Sequence, residues 1–190
     1  WNGTSWIQIG QDIDGEAPYD ESGWSVSMNA AGDRVAIGAY RNDGNGNDAG
    51  HVRIYHWDGS SWVQQGQDID GHPAYFGWSV SINAAGDRVA IGAPLTSFIG
   101  NGTYSGHVRI YAWNGTSWTQ LGQDIYGEAA FNKSGWSVSL NEAGDRVAIG
   151  APENNGNSGS QLDSRGHVRI YGWNGTSWIQ IGQDIDGEAP

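Results

Sequence analysis

The feature that most constrains this chain is that it repeats itself. "GWSVS" occurs at Gly23, Gly77 and Gly135, "GDRVAIGA" at Gly32, Gly86 and Gly144, and "GHVRIY" at Gly50, Gly106 and Gly166. A Trp-(Asn/Asp)-Gly-(Thr/Ser)-Ser-Trp element begins at Trp1, Trp57, Trp113 and Trp173, in steps of 56, 56 and 60 residues. The first eighteen residues, Trp1–Pro18, return as Trp173–Pro190. Each copy must therefore fold into the same small unit and bury its apolar surface against its neighbours.

The pattern inside a copy is that of strands. In "GWSVSMNA", Trp24, Val26 and Met28 alternate with Ser25 and Ser27, the period of two that gives a strand unlike faces. "DRVAIGA" sets Val35 and Ile37 on one face, with Ala36 and Gly38 on the other, where small side chains let a neighbouring sheet come close. "HVRIYHW" and "SSWVQQGQDI" follow, joined by Asp58-Gly59 or by Asn-Gly in the other copies, a hairpin signal. A two-residue turn would set Tyr55 opposite Trp62; a four-residue loop would set Trp57 there instead. Copies differ in length only between "GA" and "GH" and after "QDI(D/Y)G", as expected of loops between fixed strands.

Four strands per copy predict an all-β chain of tandem four-stranded antiparallel, propeller-like blades, three in number plus one overlapping outer strand. The expected division is residues 1–18 as the outer strand of a preceding blade, then blades at 19–72, 73–128 and 129–190. The last copy already owns its outer strand, Ser177–Ile185, so residues 1–18 are surplus to the three. We therefore expect a 172-residue super-repeat drawn from a longer array or filament, the alternative being several chains that combine their blades into one ring. Further copies of the repeat are the expected partners.

Composition narrows the function. The 31 glycines and 11 tryptophans suit short strands, tight turns and aromatic burial rather than helices. A formal charge of −12, from 21 acidic residues against eight Arg and the single Lys133, argues against nucleic acid and anionic lipid as partners. No apolar run reaches the length needed to insert in a membrane as a helix, and without cysteine no disulfide is expected.

Phe76-Gly77 and Gly92-Ala93-Pro94, with Gly150-Ala151-Pro152, resemble the FG-GAP repeats of integrin-type β-propellers. Copies one and three have Ser22 and Ser134 in place of the Phe, and copy one has Tyr40 in place of the Pro. The resemblance implies blades, about seven to a closed ring, and calcium bound in loops. On that resemblance Asp43, Asn45, Asn47 and Asp48 are candidate calcium ligands, since Asp and Asn oxygens spaced by glycine can wrap a hard cation. The other copies lack such a loop, with Glu153 and Asp163, far apart, the only acids in the corresponding segment of copy three. A polar Gly/Asn turn is the alternative, and no cofactor is required.

Sequons at Asn2, Asn101, Asn114, Asn132 and Asn174 are candidate glycosylation sites, three of them at hairpin tips. The paired acids of Asp12-Ile13-Asp14-Gly15-Glu16 are a cation candidate, or simply a strand end. His51, His107 and His167 recur, but a metal or catalytic role would require several of them to converge. Almost every ionisable residue of note is repeated, and catalysis needs unlike groups gathered at one special place. The expectation is a non-enzymatic extracellular or cell-surface structural or adhesive repeat protein. The alternative is a carbohydrate- or protein-binding propeller, lectin-like or integrin-like.

Overall fold

The computed structural model describes residues 1–72, 75–97, 100–156 and 164–188, and among them the regular structure is all β. Blade 1 comprises β1 (Ser25–Met28), β2 (Arg34–Ala39), β3 (His51–Trp57), β4 (Trp62–Gln64) and β5 (Ile69–Asp70). Blade 2 repeats this as β6 (Ser79–Ile82), β7 (Arg88–Ala93), β8 (His107–Trp113), β9 (Trp118–Gln120) and β10 (Ile125–Tyr126). Blade 3 comprises β11 (Ser137–Leu140), β12 (Arg146–Ala151), β13 (His167–Trp173), β14 (Trp178–Gln180) and β15 (Ile185–Asp186). Every pairing between these strands is antiparallel.

The fourth strand of each blade is broken in two, so that β4 and β5 pair successive stretches of β3. The break falls at Gly66, whose φ of +83° suits glycine, and the Trp113 ring of blade 2 seats on it. Blade 3 breaks in the same way at Gly182 with no indole upon it, so the break belongs to the blade and the next blade's indole takes the room it leaves. The preceding hairpin takes the longer loop, with Trp57 opposite Trp62 and their rings 5.5 Å apart. Asp58 Oδ1 accepts the Ser60 and Ser61 amides, an Asx-type turn that closes the four-residue loop; Asn114 and Asn174 do the same.

The core lies between blades rather than within one. Ala36, Val52, Ile54 and Ile69 of blade 1 pack with Phe76, Val80, Ile82, Val89 and Ile91 of blade 2. Ala90, Val108, Ile110 and Ile125 of blade 2 pack in turn with Val147 and Ile149 of blade 3. On the first two strands of each blade the large side chains thus face the blade before, while the small ones face the blade after beside the Val and Ile of the later strands. The alternation in "RVAIGA" carries this polarity, since Val89 and Ile91 look back to blade 1 while Ala90 looks on to blade 3. First strands line up along the row, β1 against β6 and β6 against β11.

Residues 1–18 have no strand beside them and form no ladder, yet they touch blade 1 as an outer strand would. Gln11 and Trp62 exchange hydrogen bonds of 3.0 and 3.3 Å, and Trp62 Nε1 donates to Ile9 O at 3.0 Å. The same set joins blades 1 and 2 through Gln67, Trp118 and Gln65, and blades 2 and 3 through Gln123, Trp178 and Leu121.

Candidate functional site: the joint between blades

Two features mark the joints, a glycine socket between blades 1 and 2 and between blades 2 and 3, and a histidine set between two carboxylates where blades 1 and 3 meet the segment before them. The socket explains why so many glycines are needed. A Cβ added at Gly38 would lie 2.2 Å from Gly77 O, and one at Gly50 would lie 2.0 Å from Phe76 O. At the second joint, Gly92 closes on Gly135 O and Gly106 on Ser134 O in the same way. The Phe-Gly or Ser-Gly pair of one blade therefore enters a cleft that the "GA" and "GH" glycines of the previous blade keep open. Ser25 Oγ and Ser79 Oγ donate to the entering Gly77 and Gly135 carbonyls at 2.8 Å, and Ser27 and Ser81 accept the Ile82 and Leu140 amides.

Both halves of this joint also lie open. On blade 3, a cleft of about 390 Å³ is lined by Gly150, Gly166, Gly187, Ser137, Trp136 and Val168. Blade 1 presents Ser22-Gly23 at the place of Phe76-Gly77, with Trp24, Val26 and Met28 50%, 63% and 55% exposed beside it. A row of aromatics runs alongside, with the rings of Trp24, Trp78 and Trp136 tilted against one another at 5.2 and 4.7 Å and Tyr40 against the first two.

The histidines do not converge on one another, because each belongs to its own blade. Each of His51 and His167 instead faces two carboxylates. His51 Nδ1 lies 3.8 Å from Glu16 and 3.7 Å from Asp68; His167 Nδ1 lies 3.9 Å from Glu128 and 3.6 Å from Asp184. The glutamates come from the segment ahead of the blade, so the cluster straddles the joint. Burial lowers the pKa of both imidazoles despite the carboxylates, and Arg53 and Arg169 lower it further.

Blade 2 is built differently. His72 stands where the others have glutamate, and Arg109 grips Asp124 with two bonds of 2.9 Å. Burial opposes ionisation of Asp124, but Arg109 holds its pKa low. Burial and Arg109 push His107 down to about 4. The sequence offered a signal for these clusters, the "GEA" at Gly15 and Gly127 together with "GH", but only the fold brings residues 16, 51 and 68 together.

The other candidates are placed as follows. Asp43 Oδ1 accepts the Asp48 amide at 2.8 Å, Asn45 donates to Gly71 O at 2.8 Å, and Asn47 donates to Asp48 Oδ2 at 3.1 Å. These four residues thus hold their own loop to the blade's edge. Asp163 lies outside the described residues. Asp12 accepts from Gln8, and the Asp14 carbonyl accepts from Arg53. Asn2, Asn114 and Asn174 are exposed, while Asn101 donates to Gly127 O at 2.6 Å. Asn132 is 2% exposed with its amide nitrogen enclosed, so the atom a glycan would need is inaccessible in the folded chain.

With antiparallel blades joined by glycine sockets, the chain falls in the class of tandem β-blade proteins. Residues 13–55 match the FG-GAP repeat family, a stretch that runs through β1 and β2 to β3. The Phe-Gly and Gly-Ala-Pro of that pattern are the two sides of the joint described above. Comparison with curated proteins returned no match. The fold is similar to a solved structure from Bacteroides uniformis ATCC 8492, provisionally named a 6-phosphogluconolactonase, with a TM-score of 0.56 over 86% of this chain. Identity is 12%, a likeness of fold alone, and the chain spans 40% of that protein's length.

Proposed function

We propose that this chain is a non-enzymatic structural or adhesive repeat module, extracellular or at a cell surface, whose blades join head to tail with further blades of the same kind. The observation that carries this reading is that blade 3's open cleft and blade 1's Ser22-Gly23 edge are the two halves of the joint already used twice inside the chain. Unlike halves that fit each other make a heterologous contact, which propagates or closes a ring rather than stopping at a dimer. Burying Val26 and Met28 would contribute about 1.5–3 kcal/mol each, a substantial drive to association. Exposed Asn-Gly-Thr tips at Asn2, Asn114 and Asn174 support a place outside the cell, where glycans would be carried clear of the joint.

Analytical ultracentrifugation over a concentration series tests this. The 190-residue chain should associate progressively, and Gly150→Leu, which fills the cleft, should leave it monomeric. A wild-type chain that stays a monomer at high concentration overturns the reading. A second reading, carbohydrate binding, draws on the Trp24–Trp78–Trp136 row, and a glycan array on the same protein decides it.

A further inference from the structure

We propose that the Glu16–His51–Asp68 and Glu128–His167–Asp184 clusters are two equivalent binding sites for a divalent transition metal of the zinc class, each fastening one blade to the segment before it. In each, one imidazole nitrogen and two carboxylate oxygens lie within 4.8 Å of one another. The nitrogen–oxygen separations of 3.6 to 3.9 Å are too long for hydrogen bonds. They sit close to the roughly 3.3–3.6 Å that separates ligands sharing one ion at zinc bond lengths. His51 and His167 side chains are each 2% exposed, and no described hydrogen bond occupies their Nδ1.

The surrounding residues aim these donors as metal sites require. Gln64 donates to Asp68 Oδ1, leaving Oδ2 turned to His51; Gln180 does the same for Asp184 and His167. Arg53 and Arg169 take Oε1 of Glu16 and Glu128, and Oε2 is the oxygen turned to the imidazole. Each carboxylate thus has one oxygen tied back and one presented. One nitrogen with two oxygens suits a borderline cation better than calcium, which takes six to eight oxygens. The glutamates are 48% and 46% exposed, so water can reach the ion and complete its shell.

Blade 2 is the internal control. There the glutamate is His72, and both oxygens of Asp124 are spent on Arg109, Gln120 and Tyr126. The same fold without the donor set is closed by an ion pair instead. The inference stands apart from head-to-tail association, since Glu128, His167 and Asp184 meet within one chain.

The test uses the whole chain, stripped with chelator, dialysed against Zn²⁺ and assayed for bound metal, alongside nitrogen NMR of the five histidines. Two ions per chain are expected, one in Glu16→Gln or Glu128→Gln, and none in the double variant. In the wild-type protein, Nδ1 of His51 and His167 should shift with added Zn²⁺ while His56 and His107 stay in place. No stoichiometric uptake, an uptake unchanged in the double variant, or shifts centred on other histidines would each overturn the proposal. The wild-type spectra decide the matter even should a variant fail to fold.

Discussion

Val80 and Ile82 in blade 2 are 9% and 6% exposed; Val26 and Met28, at the same places in blade 1, are 63% and 55% exposed. The backbone pairing is also the same, each first strand matched residue for residue with its second. What differs is the neighbour. Blade 2's strand leans on the face of blade 1 that carries Ala36, Val52 and Ile54, whereas the corresponding face of blade 1 has only residues 1–18 along its outer edge. A blade of this kind has a complete hydrogen-bonded sheet but only a borrowed core. Its stability is a sum of joints, as in other one-dimensional repeats.

The comparison can be pressed hardest with paired truncations. Ile82→Ala should cost about 3 kcal/mol in urea denaturation, while Met28→Ala in the dilute chain should cost less than about 1 kcal/mol. Equal losses would mean that the blades fold independently of their joints. Next comes the socket. Gly92→Ala sets a Cβ 2.1 Å from Gly135 O and should cost roughly 2 kcal/mol, since two backbones must part. Gly150→Ala meets only the rotatable Ser137 hydroxyl at 2.3 Å and should be milder by the same assay.

Trp118→Phe removes a buried indole donor to Gln65 O and should cost about 1–1.5 kcal/mol. Trp62→Phe loses the matching bond to Ile9 O in an exposed setting and should cost less by thermal denaturation. A subtler difference separates His107 from its counterparts. Its folded pKa of about 4 lies below the ordinary 6.5, so the unfolded chain binds the proton more readily. Stability should be full above pH 6.5 and fall as pH drops from there toward 4, and Tm with it. His107→Gln should flatten that part of the profile. The smallest effect is expected at a hairpin tip, where Asp58→Asn keeps the Asx turn and should shift stability by less than about 0.5 kcal/mol.

The strands were legible because their signals are local. Period-two alternation placed β1 and β2, and the small face at Ala36 and Gly38 foretold the close approach of blade 2. The Asp58 hairpin was visible as a hairpin, but its register was open, because Tyr55 and Trp57 offer an aromatic partner to Trp62 in either frame. The Asx turn and the Trp57–Trp62 ring contact chose the longer loop. The split outer strand at Gly66 was not visible in "SSWVQQGQDI", and the indole seated on it comes from another blade. The histidine clusters escaped for the same reason. A search for histidines that meet one another looks along the repeat, while Glu16, His51 and Asp68 meet across a joint.

By itself, then, the sequence determined the brick: its strands, its turns, its two unlike faces and the order in which copies follow. Only the tertiary structure decided what lies between bricks, including which glycines form the socket, which Val and Ile positions are buried, and which carboxylates reach a buried imidazole. Alternation and turn chemistry act over a few residues and leave their mark in any single copy. The joints depend on groups some 35 to 56 residues apart, whose meeting is set by how closely two sheets can approach.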